Sequence, residues 1–272
     1  MAHVHEILSL DLPELGPYRT LRRHQQHIDR GIFVAEGEKV VRRLLESDLA
    51  VVSLLLTPAW RARVAAALAT RPEPDLVVYV APQALLEAIV GFPLHQGIMA
   101  VGKVPTPRAL EPLVTSLPRP RLLLALDGLS GPENVGVVVR NCAAFGAQAI
   151  IVGETSSSPY LRRSVRNSMG TIFQLPVVAC TSLAGTLLKL RERFGVRVLA
   201  ADAHAMQIDL MHADLTGDIC LVLGSEATGL AGTTLAACEQ RIVIPMHAGT
   251  DSLNVANASA VFLYEAMRQR CR

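Results

Sequence analysis

The second half of the chain is a series of short apolar runs, and this pattern constrains the fold more than any other feature. From Arg121 onward the runs are "RLLLALD", "QAIIVG", "PVVAC", "VRVLAAD", "ICLVLGSE" and "RIVIP", each followed by a predicted helix or by a loop that leads to one. Near-continuous apolar strands are typical of parallel sheets that are buried on both faces. The pattern therefore predicts an α/β fold in which ligands bind beyond the carboxyl ends of the strands.

The first part of the chain predicts a separate, smaller α/β domain. Residues 17 to 104 alternate between short strands and helices, starting with a basic helix near residues 17–29. The proline-rich stretch "PTPRALEPLVTSLPRP" then lacks a sustained hydrophobic period. At 272 residues the chain is long enough for two domains. We predict a first domain over residues 1–105, a linker over 106–120 and a second domain over 121–272.

Composition and charge exclude several classes of protein. No apolar run reaches the roughly 20 residues that cross a bilayer, and the N-terminus lacks the pattern of a signal peptide, so a soluble cytoplasmic protein is expected. The five cysteines are scattered and form no CxxC pair, which disfavours a disulfide framework and a metal site. Net charge is only +2, but basic residues concentrate between Arg19 and Arg43 and again at Arg162, Arg163 and Arg166. Solvated helix faces are the simpler interpretation of both groups.

The loop after the first of these runs carries two candidate residues within "DGLSGPENVGVVVRNCAAFGA". Asn134 stands at a predicted helix entrance, and Arg140 follows about one and a half turns later. An N-cap and an exposed helical cation are the structural alternative. Neither GxGxxG nor GxxxxGK[ST] is present, which disfavours a dinucleotide-binding domain.

The loop after the fifth run, within "LVLGSEATGL", holds a single carboxylate between two glycines. Gly224 and Gly229, which bracket Glu226, would let a ligand approach the backbone closely. A simple turn with an acidic residue explains the same pattern equally well.

The loop after the last run leads into the final helix through "IVIPMHAGTDSLNVANASAV". Ser252 or Asp251 suffices to cap that helix, so no structural duty is predicted for Asn254 or Asn257. Because asparagine is disfavoured inside helices, its presence twice in the first turns indicates that something else is being held. A single histidine in a polar loop, His247, is no strong indication of a catalytic base.

Taken together, the three loops resemble the three motifs of the SpoU (TrmH) family of RNA ribose 2′-O-methyltransferases, in the SPOUT superfamily. The matching segments are "PENVGVVVRNCAAFGA", "LVLGSEATGL" and "IVIPMHAGTDSLNVANASAVFLYEAMRQR", in the family's order. The segment "SPYLRRSVRNSMGTIFQLPV" also resembles the family's sequence between the first two motifs. Residues 1–105 are similar, more loosely, to the ribosomal-protein-like RNA-binding domain that often precedes this catalytic domain, chiefly through "FVAEGEKVVRRLLES".

This resemblance implies a fold, a cofactor and a set of site residues. The fold would be a SPOUT-type parallel sheet with a deep trefoil knot, preceded by a small RNA-binding domain, and the methyl donor would be S-adenosylmethionine. The implied cofactor-binding residues are Gly224, Ile244 and Leu253. The implied catalytic residues are Asn134, Arg140, Glu226, Ser252 and Asn254. Asn257 departs from the family's commoner small residue and receives no catalytic role.

The implied reaction is attack of a ribose 2′-oxygen on the sulfonium methyl group, with no metal required. The substrate would be structured RNA, with 23S ribosomal RNA favoured over transfer RNA, and the enzyme would be a homodimer without a DNA or membrane partner. The family proposal makes Arg140 a base, but guanidinium groups stay protonated near neutrality, so clamping a phosphate and stabilising an alkoxide is the alternative. An inactive RNA-binding ribosome-assembly factor is the competing interpretation, and the set of matched polar residues disfavours it.

Overall fold

The computed structural model describes residues 3–90, 97–203, 208–247 and 250–271. Ala248 and Gly249 of the third motif, and Gln96 of the predicted strand "QGIMAVGKV", lie outside these ranges. The chain divides into two compact units, Met1–Pro105 with Tyr160–Gln174, and Thr106–Pro159 with Leu175–Arg272. Within the described ranges no helix is both long and apolar enough to cross a membrane.

The first unit is built on a five-stranded mixed sheet. Its strands are β1 (His3–Glu6), β2 (Ile32–Glu36), β3 (Val51–Leu56), β4 (Val77–Val80) and β5 (Ile98–Lys103). They are ordered β1-β4-β3-β5-β2, and β5 runs antiparallel to both of its neighbours. The helices are α1 (Gly16–Arg19), α2 (His24–Asp29), α3 (Glu38–Leu45), α4 (Pro58–Ala69) and α5 (Gln83–Val90).

The predicted helix near residues 17–29 is two short helices, so that prediction is wrong in detail. The Thr20 hydroxyl donates a hydrogen bond to the carbonyl of Gly16 at 2.8 Å, and the Arg23 amide bonds the Thr20 carbonyl across the turn that follows. A threonine hydroxyl that bonds the main chain competes with the helical ladder. The chain therefore turns between α1 and α2.

The second unit contains a seven-stranded sheet in which every recorded strand pair is parallel. Its strands are β6 (Leu122–Asp127), β7 (Ala149–Val152), β8 (Val177–Ala179), β9 (Arg197–Ala201), β10 (Ile208–Asp209), β11 (Ile219–Gly224) and β12 (Gln240–Val243). Their order is β10-β12-β9-β11-β6-β7-β8. The predicted parallel α/β sheet is confirmed, and β6, an interior strand of the sheet, is buried along its whole length, as its apolar run requires.

The helices of the second unit differ from the prediction at the expected linker. They are α6 (Leu110–Ser116), α7 (Pro132–Phe145), α9 (Leu183–Phe194), α10 (Gly232–Ala237) and α11 (Val255–Arg270); α8 (Arg162–Asn167) falls in the first unit. α6 lies inside the stretch 106–120. Leu113 and Val114 of α6 are buried in the core of the second unit, and Leu110 and Leu117 pack against the same core, so this proline-rich stretch is a packed part of the unit.

The segment Tyr160–Gln174 was expected in the second domain but clusters with the first unit. The guanidinium of Arg162 donates a hydrogen bond to the Glu36 carboxylate at 2.5 Å. The ring of Phe173 stacks on Phe33, with centroids 5.2 Å apart. A segment that interrupts the second unit in sequence is thus a packed part of the first.

Two of the predicted loops begin side by side because β6 and β11 are neighbours. Asp127, the last residue of β6, is in register with Gly224, the last residue of β11. The third loop follows β12, which pairs with β9 on the other side of β11. The carboxyl ends of β6, β9, β11 and β12 therefore surround one region of the sheet edge.

Candidate active site

A cavity of about 440 Å³ lies in the second unit at the carboxyl ends of β9, β11 and β12. Apolar side chains form much of its wall, and two carboxylates, Asp202 and Glu226, also line it. The apolar lining residues are Leu223, Leu230, Ile242, Ile244, Met246, Leu253, Val255 and Phe262, with small or backbone-rich positions between them. This mixture is typical of a site for a small organic molecule that carries polar groups.

The wall formed after β11 is a tight turn that needs its glycines. Ser225 and Gly229 exchange backbone hydrogen bonds at 3.0 and 2.8 Å, and Gly229 has φ of +68°. A Cβ at Gly224 would lie only 2.5 to 2.7 Å from backbone atoms of Gly229 and Leu230. The turn itself therefore demands glycine at position 224, independently of any ligand.

Asn254 is the N-cap of α11, which corrects the prediction that Ser252 or Asp251 would cap this helix. The side-chain Oδ1 of Asn254 accepts a hydrogen bond from the Ala256 amide at 2.9 Å. Asparagine is one of the best capping residue types, and Asn254 lies nearer to the first residue of the helix than either Ser252 or Asp251. The inference that Asn254 has no structural duty is therefore wrong.

The other end of the Asn254 amide joins the three loops. Its Nδ2 donates to Oε1 of Glu226 at 2.5 Å and to Oδ1 of Asn134 at 3.3 Å. Asn134 lies in the first turn of α7, Glu226 in the turn after β11, and Asn254 at the start of α11. Three side chains from distant parts of the sequence thus form one hydrogen-bonded cluster beside the cavity.

Most of the sequence-predicted site residues lie at this cavity. The six residues that line it directly are Gly224, Glu226, Ile244, Ser252, Leu253 and Asn254. Asn134 joins them through its hydrogen bond to Asn254. Arg140 does not line the cavity; it is exposed on α7 and forms no hydrogen bond or ion pair with any residue that the structure describes.

Sequence reasoning missed two residues that shape the site. The Asp127 carboxylate is buried and accepts a hydrogen bond from the Ala231 amide at 2.7 Å, which ties the end of β6 to the start of α10. Asn141 donates from Nδ2 to Ala256 O and to Ser259 Oγ, both at 2.9 Å, which ties α7 to α11. The available signal for Asp127 was an acidic residue at the end of a fully apolar strand. Asn141 gave no signal of its own, because it directly follows the candidate residue Arg140 in the sequence.

The buried cysteines of the second unit are poor nucleophiles. Burial raises the pKa of Cys142 to about 12 and raises the pKa of Cys220 above its ordinary range. Thiols with raised pKa values stay protonated near neutrality, and the thiolate is the reactive form.

Comparison with known proteins gives a consistent family. The sequence model of the SpoU rRNA Methylase family matches residues 121–264. A 23S rRNA (guanosine-2′-O-)-methyltransferase of Pseudomonas syringae pv. tomato is 33% identical over 253 residues, which cover 92% of this chain and 91% of the relative. An uncharacterized tRNA/rRNA methyltransferase of Mycobacterium tuberculosis is 32% identical over 273 residues, covering 97% of this chain and 92% of the relative.

A solved structure extends the likeness to both units. The crystal structure of an AdoMet-bound rRNA methyltransferase from Sinorhizobium meliloti superimposes with a TM-score of 0.82 and 27% identity, covering 97% of this chain and 98% of that one. The match to the family model spans more than half of the chain and includes the first two motifs and most of the third. The protein therefore belongs to the SpoU rRNA Methylase family of S-adenosylmethionine-dependent RNA methyltransferases.

Proposed function

We propose that the protein transfers a methyl group from S-adenosylmethionine to a ribose 2′-hydroxyl of structured RNA, with 23S ribosomal RNA as the favoured substrate and transfer RNA as the alternative. The observation that carries the proposal is the cluster of Asn134, Glu226 and Asn254 beside the cavity. The Pseudomonas relative, whose name specifies a guanosine 2′-O position in 23S rRNA, supports the finer assignment.

The residues of the cavity fit the methyl donor. Its volume of about 440 Å³ lies within the range of roughly 300–1,000 Å³ that is usual for small-molecule sites. The carboxylates of Asp202 and Glu226 suit a cationic ligand, and the apolar wall around Ile244 and Leu253 suits a flat base. When bound, S-adenosylmethionine supplies an electrophilic methyl group on a positively charged sulfur.

The protein's own groups would hold the ribose and orient its hydroxyl. Glu226 uses Oε1 to accept from Asn254, and its second carboxylate oxygen is available to accept a hydrogen bond from the 2′-hydroxyl. Nδ2 of Asn254 holds that carboxylate, and Oδ1 of Asn134 accepts from the same nitrogen, which restrains the Asn254 amide in turn. Fixing two reactants in line contributes much of the rate in reactions of this kind.

We propose that Arg140 acts in the cavity of a second copy of the chain. Its guanidinium would clamp an RNA phosphate and stabilise the developing alkoxide there. Two observations support this placement. Arg140 is exposed and lies away from its own cavity, and α11 exposes Val261 and Tyr264 to 39% and 51%. An exposed apolar strip on the final helix suits an interface with the same strip of a second copy.

The first unit is proposed to bind the RNA, and its helices α3 and α8 form the favoured surface. Arg162 at the start of α8 bonds Glu36, which precedes α3, and Arg43 in the last turn of α3 bonds the Met169 carbonyl after α8 at 2.7 Å. The two helices therefore run side by side in the same direction.

The exposed basic side chains of this pair define what we term the α3–α8 surface: Lys39, Arg42, Arg163 and Arg166, of which Arg42 pairs with Glu38. The sequence carries no acidic residue between Glu154 and Glu192, so the charged residues of α8 and its flanking segment are all basic. Backbone phosphates supply much of the affinity for nucleic acids and need no sequence readout. The surface thus suits the backbone of a structured RNA.

The deep trefoil knot is proposed on the connections of the second unit. β12 pairs with β9, whereas α11 packs on α7, the helix that follows β6. α11 also contacts β11, so the final helix packs two strands away from β12 in the sheet order. This displacement supports the proposal of a threaded C-terminal segment, which would be an exception to the rule that chains do not thread loops.

Mapping ribose methylation across cellular RNA, with and without the gene, tests the function. The expected result is the loss of one or a few methylated riboses in 23S rRNA, restored by the wild-type gene but not by one encoding Arg140→Ala. Loss of a site in transfer RNA would transfer the assignment to that substrate. An unchanged methylation map, together with no transfer of radiolabelled methyl to RNA from the deletion strain, would support the inactive assembly-factor interpretation.

A further inference from the structure

Asn141 holds the first turn of α11 from the side of α7. Its Nδ2 donates to the Ala256 carbonyl and to Ser259 Oγ, each at 2.9 Å, and Ser259 Oγ donates to the same carbonyl at 2.7 Å. Ser259 is fully buried, and Ala256 is 4% exposed. The contact is therefore a largely internal link between the two helices, made by two hydrogen bonds from one amide nitrogen.

The same alanine is bonded at its other polar group. The Ala256 amide donates to Oδ1 of Asn254, while Nδ2 of Asn254 donates to Glu226 and Asn134. Asn141 does not line the cavity, but it is connected to the cluster through Ala256. The Ala256 carbonyl accepts from Asn141, and the Ala256 amide donates to Asn254.

The direction in which the Asn254 amide faces depends on this arrangement. The terminal torsion of asparagine is broad, and its oxygen and nitrogen can exchange places. With the Ala256 amide held in place, Oδ1 must point towards it, which leaves Nδ2 for Glu226 and Asn134. If the first turn of α11 shifts, this orientation is no longer specified.

We infer that Asn141 is a positioning residue for the methyl transfer: it fixes the start of α11 so that Asn254 presents its Nδ2 to Glu226 and Asn134. The inference rests on the proposed function of that cluster. Asn134 and Asn141 lie seven residues apart on the same face of α7, and both bond the start of α11. This face of α7 therefore sets the position of the start of α11. A site displaced by about 1 Å can lose about 100-fold in rate, and a smaller shift is expected here.

The amide orientation can be observed without any assay of activity. The chain contains five asparagines: Asn134, Asn141, Asn167, Asn254 and Asn257. Selective ¹⁵N labelling of asparagine therefore gives five side-chain NH₂ signal pairs, which single substitutions assign. In Asn141→Leu, which keeps the approximate side-chain volume but removes the donor, the Asn254 and Asn134 signals should shift. The Asn167 signal, whose Nδ2 bonds Arg163 O in the first unit, should not.

The kinetic arm separates positioning from general destabilisation. Asn141→Leu should lower kcat by about tenfold or more, while KM for S-adenosylmethionine changes less than about threefold. Cys142→Ala is the matched control, because Cys142 is fully buried in the next position of α7 and has no part in the hydrogen-bonded chain. It should lower Tm and leave kcat near the wild-type value.

Two results would overturn the inference; the first, read from the NMR signals, does not depend on the proposed function, and the second is measured on an active wild-type enzyme. Unmoved Asn254 and Asn134 signals in Asn141→Leu would show that Asn141 does not set the orientation of the cluster. Moved signals with an unchanged kcat would show that the orientation does not matter for transfer. Failure of the function itself would appear differently, as an inactive wild-type enzyme whose signals still respond to Asn141→Leu.

Discussion

Nδ2 of Asn254 lies 3.3 Å from Oδ1 of Asn134, although 120 positions separate the two residues in the chain. The bond joins α7, the helix after the first strand of the second unit, to the start of α11, the final helix of that unit. Since the same Nδ2 also bonds Glu226, the three loops share one donor group. Asn254 therefore has two separable duties, one towards its helix and one towards the site.

Substitutions at Asn254 should separate these duties. Asn254→Ala removes both the capping oxygen and the Nδ2 hydrogen-bond donor. The variant should therefore be about 1 kcal/mol less stable than the wild type and should also lose methyl-transfer activity. Asn254→Ser keeps a capping oxygen but cannot reach Glu226, so it should unfold near the wild-type temperature and still lose most activity. Thermal unfolding and transfer of radiolabelled methyl to RNA measure the two effects. Equal activity of the serine variant and the wild type would refute a role for the amide nitrogen.

Arg140→Ala should remove methyl transfer while S-adenosylmethionine binds with nearly unchanged affinity. The reason is that Arg140 is proposed to contact an RNA phosphate and the ribose oxygen rather than the methyl donor. Isothermal titration with the donor and radiolabel incorporation into RNA from a strain lacking the gene provide the two measurements. Incorporation near the wild-type level would remove Arg140 from the site.

Mixed dimers test where Arg140 acts. If it serves the partner's cavity, co-refolded Arg140→Ala and Asn254→Ala chains should recover about a quarter of wild-type activity, because half of the dimers are mixed and each mixed dimer has one intact site. If Arg140 serves its own cavity, every site keeps a defect and no activity returns. A monomer by light scattering at assay concentration would exclude the shared arrangement altogether.

Gly224→Ala should weaken donor binding by about tenfold or more. The added Cβ would lie within 2.7 Å of the backbone at Gly229 and Leu230, so the turn that lines the cavity must move. Gly232→Ala is the matched control, since a Cβ there meets nothing within 4 Å. Calorimetric titration with S-adenosylmethionine compares the two; equal affinities would mean that the turn does not shape the donor site.

The α3–α8 surface predicts a measurable salt dependence. Replacing both Arg163 and Arg166 by alanine should weaken RNA binding and reduce the slope of log K against log salt by about 1.5, near 0.7–0.9 for each lost phosphate contact. The control removes two exposed charges from α4 of the same unit, Arg61→Ala with Arg63→Ala. Filter binding at several salt concentrations gives both slopes. If the two double variants behave alike, binding depends only on net charge.

The stability of the first unit should fall in acid through one carboxylate. The hydrogen bond from Arg71 lowers the pKa of Glu73 to about 2, from an ordinary value of 4.5. Since the folded-state pKa is the lower one, the stabilisation is complete above pH 4.5 and is lost as pH falls through about 2. Arg71 also bonds the carbonyls of Leu45, Ser47 and Leu49, so the pair anchors the chain that enters β3.

Glu73→Gln should therefore cost on the order of 1 kcal/mol at pH 6, a value reduced for solvent screening, and progressively less towards pH 2. Denaturant unfolding followed by the fluorescence of Trp60 measures this, because the only tryptophan of the chain is buried in α4 of the same unit. A cost that does not change between pH 6 and pH 3 would contradict the assigned pKa shift.

The sequence predicted the parallel sheet because apolar runs such as "RLLLALD" are a local signal. The cavity residues Ile244, Ser252 and Leu253 were expected only from the family resemblance, since nothing in their own neighbourhood singles them out. The duties of Asn254 and Asn141 could not be predicted, since they depend on which helices touch. The same holds for α6, whose short apolar pair becomes meaningful only against the core of its unit.

The packing of Tyr160–Gln174 has a consequence for how such proteins evolve. A fragment made of residues 1–105 alone would lack Phe173, which stacks on Phe33, and Arg162, which bonds the Glu36 carboxylate. Recombination could therefore exchange residues 1–105 between homologues only if Tyr160–Gln174 were exchanged or changed as well. Lineages that acquire new RNA targets should therefore vary these two stretches together.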